Sequence, residues 1–209
     1  MKLRALAIIT AFALPTLAIA DDKTPAADKT ATDKATTEKT GKLSADDLKI
    51  ISHLHHVNQM EIDLGKTAEQ KSTTAGVKSY GKTLVDDHQS ADKDLMAFAK
   101  KHNQAAIPAE KPDSDADRQD QKDMTTQVAH MKTLKGADFD KEFLNMMVSG
   151  HDKELAKIDV SIGAATDPDL QTMLKSVKPV LQRHSDQARD LQKSPQASAD
   201  QPDTKPPAH

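Results

Sequence analysis

Between Val77 and His102 the apolar positions fall at Val77, Gly81, Leu84, Ala91, Leu95 and Phe98. Neighbours are three or four residues apart, except for one gap of seven between Leu84 and Ala91. That is the period of a helix with one buried face. His88 fills the gap in phase, so a titratable imidazole stands where the pattern asks for an aliphatic side chain. Three other segments repeat this arrangement.

The first helix is expected to start at Ser44, an N-cap with Asp46 and Asp47 in the first turn, and to run to about Lys71. Its stripe is Leu54, Val57, Leu64 and Ala68, with Glu61 in phase between Val57 and Leu64. Ser72-Thr73-Thr74 breaks the chain and caps the second helix, which ends near His102. Pro108 and Pro112 make residues 103–113 a loop. Ser114 caps a third helix with the stripe Met124, Val128, Met131 and Leu134, and Gly136 is expected to end it. Asp138 then caps a fourth helix running to about Ala165, with Phe139, Phe143, Met147, Leu155, Ile158 and Ile162 on its buried face. His151 lies between Met147 and Leu155. Asp167-Pro168, a cap followed by proline at the first helical position, opens a fifth helix. It carries Leu170, Leu174, Val177, Leu181, Ala188 and Leu191, with His184 in phase between Leu181 and Ala188. Pro179 lies inside it and is expected to kink it and free the Lys175 carbonyl.

These four polar intruders fall at one height. At about 1.5 Å of rise per residue, Glu61 and His88 lie roughly 18 and 22 Å below the first turn. His151 and His184 lie roughly 23 and 27 Å below the second turn. If the third helix crosses back, the two turns sit at opposite ends of a bundle about 42 Å long, and all four residues meet near its middle. An unpaired carboxylate or imidazole in an apolar core is costly. Four at one level can satisfy one another or hold a cation. One carboxylate and three neutral imidazoles suit a divalent transition metal such as Cu, Zn or Fe. Asp87 and Glu154 are candidate supporting partners or extra ligands, and Met147 is a candidate soft ligand that would favour copper. The competing reading is a purely structural polar network. His53, His55 and His56 do not share one helix face and read as mostly solvated, His102 and His130 as surface or boundary residues. The run Asp86, Asp87, Asp92 and Asp94 reads as a solvated face.

Composition narrows the class. Aromatics are 2% of 209 residues and Trp is absent, so the core must be aliphatic, which suits helix-on-helix packing. There is no Cys, which excludes disulfides, thiolate metal sites and a lipid-modified cysteine. Residues 1–20 read as a secretory signal: Lys2 and Arg4, an apolar middle from Leu6 to Leu14, the breaker Pro15, and the cleavage site Ala18-Ile19-Ala20. The apolar run is too short to span a bilayer. The periplasm is the expected compartment. Residues 21–43 read as a disordered linker and residues 194–209 as a disordered tail, around a helical domain over 44–193. Removing the signal takes two of 29 basic residues, leaving 27 against 32 acidic, or −5. A chain of that sign has no general attraction to nucleic acid or anionic lipid.

The segments MEIDLGKTA (Met60–Ala68), VKSYGKTLVDDH (Val77–His88), FDKEFLNMMVSGH (Phe139–His151) and PVLQRH (Pro179–His184) resemble the bacterial domain of unknown function 4142 family. Its members are often labelled outer membrane proteins. The resemblance covers about Ser44 to Lys193 and implies a ferritin-like bundle in an exported protein. Glu61, Asp87, His88, His151, Pro179 and His184 match positions that recur in the family pattern. The family has no settled activity. The Glu-x-x-His pairs of ferritin-like di-iron sites are missing here, which speaks against a ferroxidase role, and no barrel pattern supports the outer-membrane label. The expectation is an all-α, ferritin-like up-and-down four-helix bundle with an additional shorter helix. It would bind a metal through Glu61, His88, His151 and His184 in metal handling or envelope stress. It would bind rather than catalyse. The alternative is a non-enzymatic stress module with a structural polar core.

Overall fold

The computed structural model describes residues 41–194. The secretory signal, nearly all of the expected linker and the expected tail beyond Ser194 lie outside the described residues. Among the described residues all regular structure is helical: α1 (Ala45–Lys71), α2 (Ala75–Lys101), α3 (Asp115–Thr133), α4 (Gly136–Ala164) and α5 (Pro168–Lys193).

Local chemistry accounts for most of the boundaries. The Ser44 hydroxyl accepts from Asp47 N–H, and the Ser114 hydroxyl accepts from Asp117 N–H. Asp167 Oδ1 accepts from the N–H groups of Asp169 and Leu170, with Pro168 at the first helical position. The α3–α4 junction departs from expectation. α3 stops at Thr133, and Gly136, in a left-handed conformation with φ of 57°, begins α4 instead of ending α3. Lys135 is the N-cap and makes no side-chain cap, so Asp138 lies within the first turn. Helix α5 continues through Pro179, which is on the exposed face with Lys175, so the carbonyl that proline leaves without a donor faces water.

The helices form two antiparallel hairpins, α1–α2 and α4–α5, whose turns lie at opposite ends of the bundle. Two cross-links fix this. At one end Asp47 of α1 accepts from Thr166 N–H at 2.8 Å and from the Thr166 hydroxyl, in the α4–α5 turn. At the other end the Thr74 hydroxyl donates to Asp140 of α4 at 2.6 Å. The loop after α2 and then α3 return the chain to the end where α4 begins, and α3 lays Met131, with Met124, Val128 and Leu134, on the core. This is an up-and-down four-helix bundle with a shorter crossing helix. No described helix is long and apolar enough to cross a membrane.

The core divides into two apolar clusters. One gathers Leu64, Tyr80, Leu84, Phe139, Phe143, Met147 and Leu191. The other gathers Ile51, Leu95, Phe98, Ile158, Leu170, Leu174 and Leu181. Leu43 is buried in the second cluster, so the packed chain begins before the first helix. Between the clusters lies a buried polar layer.

α1 and α2 touch backbone to backbone where Gly65 meets Gly81. A Cβ at Gly81 would lie 2.7 Å from the Gly65 carbonyl oxygen and 2.9 Å from Ala68 Cβ. Neither is the end of a flexible side chain, so the helices must separate. Gly81→Ala is expected to destabilise the protein by about 1–3 kcal/mol, despite the higher helix propensity of alanine. Urea denaturation checks this, and a variant as stable as the parent would contradict the close approach.

Candidate metal centre

Four helices each contribute one polar residue to the middle layer: Glu61 from α1, His88 from α2, His151 from α4 and His184 from α5. All four are at least 95% buried. The three imidazoles come together. One ring nitrogen from each lies within 4.8 Å of the other two. Ring centroids are 6.1 Å apart for His88–His151, 5.4 Å for His88–His184 and 5.3 Å for His151–His184. Glu61 lies beside this trio and is not part of it.

The hydrogen bonds decide which nitrogen faces inward. His88 Nδ1 donates to Asn58 Oδ1 at 2.9 Å. His151 Nδ1 donates to the Met147 carbonyl, one turn back, at 2.8 Å. His184 Nε2 donates to Asp87 Oδ2 at 2.8 Å. In each ring the proton is therefore on the outer nitrogen, where only an acceptor is available. The inner nitrogens are His88 Nε2, His151 Nε2 and His184 Nδ1. All three are buried with no hydrogen-bond partner among the described residues, and so is Glu61 Oε2. A neutral imidazole whose N–H is taken by an acceptor presents a lone pair on its other nitrogen. Three lone pairs thus converge with no donor between them. A tetrahedral ion with ligands at about 2.1 Å needs donor atoms about 3.4 Å apart, so modest side-chain rotation draws this trio to ligand spacing.

Protonation follows the same logic. Burial, then the neighbouring charges of His184 and His151, pushes His88 down to about 3. Burial also lowers His184, against the opposing pull of Asp87. Burial raises Glu61, opposed by His151. His88 and His184 are thereby favoured as neutral potential ligands.

The other candidates take outer places. Asp87 is held low in spite of burial by His184 and Arg183, and Arg183 Nη2 lies 2.7 Å from the same Oδ2. It orients His184 from behind, as a carboxylate behind a metal-binding imidazole does. Glu154 turns away: its Oε2 bonds His53 Nε2 at 2.8 Å, and its Oε1 faces Lys157. The Met147 side chain packs in the apolar cluster, while its carbonyl holds His151.

His53, His55 and Asp92, expected to be solvated, and His102, expected at the surface or boundary, are all engaged. His53 bridges Glu110 at 2.7 Å and Glu154 at 2.8 Å. Burial lowers its pKa, but those two hydrogen bonds override burial and leave it raised to about 9. Asp92 is buried and accepts from His55 at 2.6 Å and Gln59 at 2.7 Å. His102 is buried at the end of α2 and bonds the Gly41 carbonyl. His130 is exposed, as its spacing suggests. The sequence reading missed Asn58. It stands one turn before Glu61 on the same face, and that spacing was its only signal.

A family model described as "Domain of unknown function (DUF4142)" matches residues 32–191. No curated protein matches. A solved structure that matches is the crystal structure of a DUF305 fragment from Deinococcus radiodurans. It is 15% identical, with a TM-score of 0.61, over 72% of this chain and 97% of that one. At that identity the likeness concerns the fold alone, and the shared fold is the helical bundle.

Stability in the presence of chelator is expected to fall on both sides of about pH 6.5. The His88 pKa is depressed in the native state, to about 3. Below pH 6.5 the unfolded chain takes up that proton first, so stability is lost as pH falls toward 3, by at most about 1.4 kcal/mol per unit from this group. His53 has the opposite sign. Raised to about 9, it stabilises fully below 6.5, and that contribution is lost as pH rises through 9. Urea midpoints against pH check both limbs. His53→Gln should flatten the alkaline limb; an unchanged alkaline limb would refute the Glu110–His53–Glu154 pairing.

Proposed function

We propose that this chain, which belongs to the family described as Domain of unknown function (DUF4142), binds one divalent transition metal ion in its core through His88, His151 and His184. The observation that carries this is the convergence of three buried imidazole lone pairs, each fixed by a hydrogen bond on its far side. A structural network would normally place a donor against each acceptor. Here three acceptors, with a carboxylate oxygen nearby, face one another without a donor.

The donor set is three nitrogens, with Glu61 positioned to approach as a fourth ligand or to balance charge. Neutral imidazole suits Zn, Cu and Fe, and geometry rather than ligand type chooses among them. Asp87, Asn58 and the Met147 carbonyl hold the ring orientations from outside. Met147 belongs to the apolar cluster, and the ligand set we propose is nitrogen and oxygen. We place the protein in the periplasm from the signal-like pattern of residues 1–20, and its role in metal handling or envelope stress. Binding, rather than turnover, is the activity the residues support.

Protein purified without a histidine tag, loaded with Zn²⁺ and dialysed, should hold one core equivalent that His88→Ala removes. The ion should raise the thermal midpoint, since ligand at a hundred times Kd adds about 2.7 kcal/mol, and chelator should reverse the gain. A midpoint indifferent to chelator, with zinc content unchanged by His88→Ala, would leave only a structural polar core. In that case replacing Glu61 alone should be strongly destabilising.

A further inference from the structure

We infer a second divalent-metal site, open to solvent, at the end of the bundle where α2 stops and α5 begins. It is built from His102, Asp167 and Asp169, whose candidate ligand atoms lie within 4.8 Å of one another. It is separate from the core centre. His102 stands fourteen positions beyond His88 along α2, about 21 Å of helix.

His102 is the residue that argues for a ligand. It is 3% exposed, its ring lies against Phe98 with centroids 4.5 Å apart, and it closes α2 as the C-cap. Its Nδ1 donates to the Gly41 carbonyl at 3.1 Å. The lone pair is then on Nε2, which is buried with no hydrogen-bond partner among the described residues. That nitrogen points at Asp167 Oδ2, 3.6 Å away. The distance is too long for a hydrogen bond, and a lone pair facing a carboxylate oxygen calls for a cation between them.

The carboxylates are arranged to supply the rest. Asp167 Oδ1 is occupied by capping α5, with bonds to Asp169 N–H at 2.8 Å and Leu170 N–H at 3.1 Å. That pins the side chain and leaves Oδ2 toward His102. Asp169 stands on the rim and contacts Lys101 Nζ at 3.0 Å. Two carboxylates and one ammonium make the neighbourhood net negative, and a divalent ion competes with the half-exposed Lys101 for Asp169. α2 ends here with its negative pole and α5 begins here with its positive pole, so the two helix fields oppose each other. One imidazole and two carboxylates, with water completing the sphere, suit Zn²⁺, Mn²⁺ or Fe²⁺ better than a soft ion. An ion on Nε2 would also strengthen the Nδ1 bond to Gly41. Metal binding would thereby fasten the segment entering α1 to the α2–α5 end.

Zn²⁺ titration of the full chain, read by equilibrium dialysis and by ¹⁵N resonances of the histidines, tests this independently of the core centre. In the His88→Ala background one equivalent should remain, and adding Asp169→Asn, at an exposed position, should weaken it at least tenfold without changing the fold. His102 Nε2 should shift on zinc addition while Nδ1 stays protonated. If His88→Ala does not fold, Asp169→Asn in the parent chain should lose one of two equivalents and keep the core one. The proposal is overturned if Asp169→Asn leaves zinc binding unchanged. It is overturned equally if both His102 nitrogens carry protons and ignore zinc, which would mark a simple ion pair with Asp167.

Discussion

Imidazole can be buried in an aliphatic core only if both nitrogens are accounted for, and this protein accounts for one nitrogen of each ring. Asn58, the Met147 carbonyl and Asp87 take the outer protons. The inner lone pairs are left facing one another with no donor among the described residues. A buried acceptor without a donor costs about 1–3 kcal/mol, so three together are retained at real expense to stability. The layer they form separates two apolar clusters. Each cluster is continuous with one hairpin turn and closes the layer from one side.

Holding the rings at one height is a problem of register. Four rods that slid by one turn would part the imidazoles by about 5.4 Å. The bundle is pinned at both ends against such sliding, by Asp47 on Thr166 and by Thr74 on Asp140. The contact of Gly65 with Gly81 adds a third constraint within the first hairpin, where α1 and α2 meet at backbone distance. Both glycines lie within two helical turns of the layer, so the closest approach of the hairpin is next to the residues whose spacing matters most. The charged pairs outside the layer are more dispensable, since exposed ion pairs contribute little.

The two histidine-bearing regions differ in access. The core trio is enclosed on every side by helices and is reached only if the bundle breathes. The His102–Asp167–Asp169 cluster has a buried nitrogen at its base and an exposed carboxylate at its rim. If both clusters hold ions as proposed, the open one would exchange its ion faster than the enclosed one.

The helices and their faces could be read from the chain because their causes are local. Ser44, Ser114 and Asp167 cap whatever helix follows them, and a stripe repeating every three to four residues buries one face in any bundle. Glu61, His88, His151 and His184 stand out as polar interruptions of those stripes, and their similar depths below the two turns put them at one level. Local rules failed at Gly136, where a left-handed glycine opens a helix instead of closing one. They also failed wherever a side chain's fate depends on another helix. Asp92 and His53 have the spacing of solvated residues, yet His55, Glu110 and Glu154 reach them across gaps that no periodicity encodes. Which nitrogen of each imidazole turns inward, and that Glu154 turns out, was likewise settled only by packing. A hydrogen bond is decided by distance between elements, and the sequence of one element carries no record of the other.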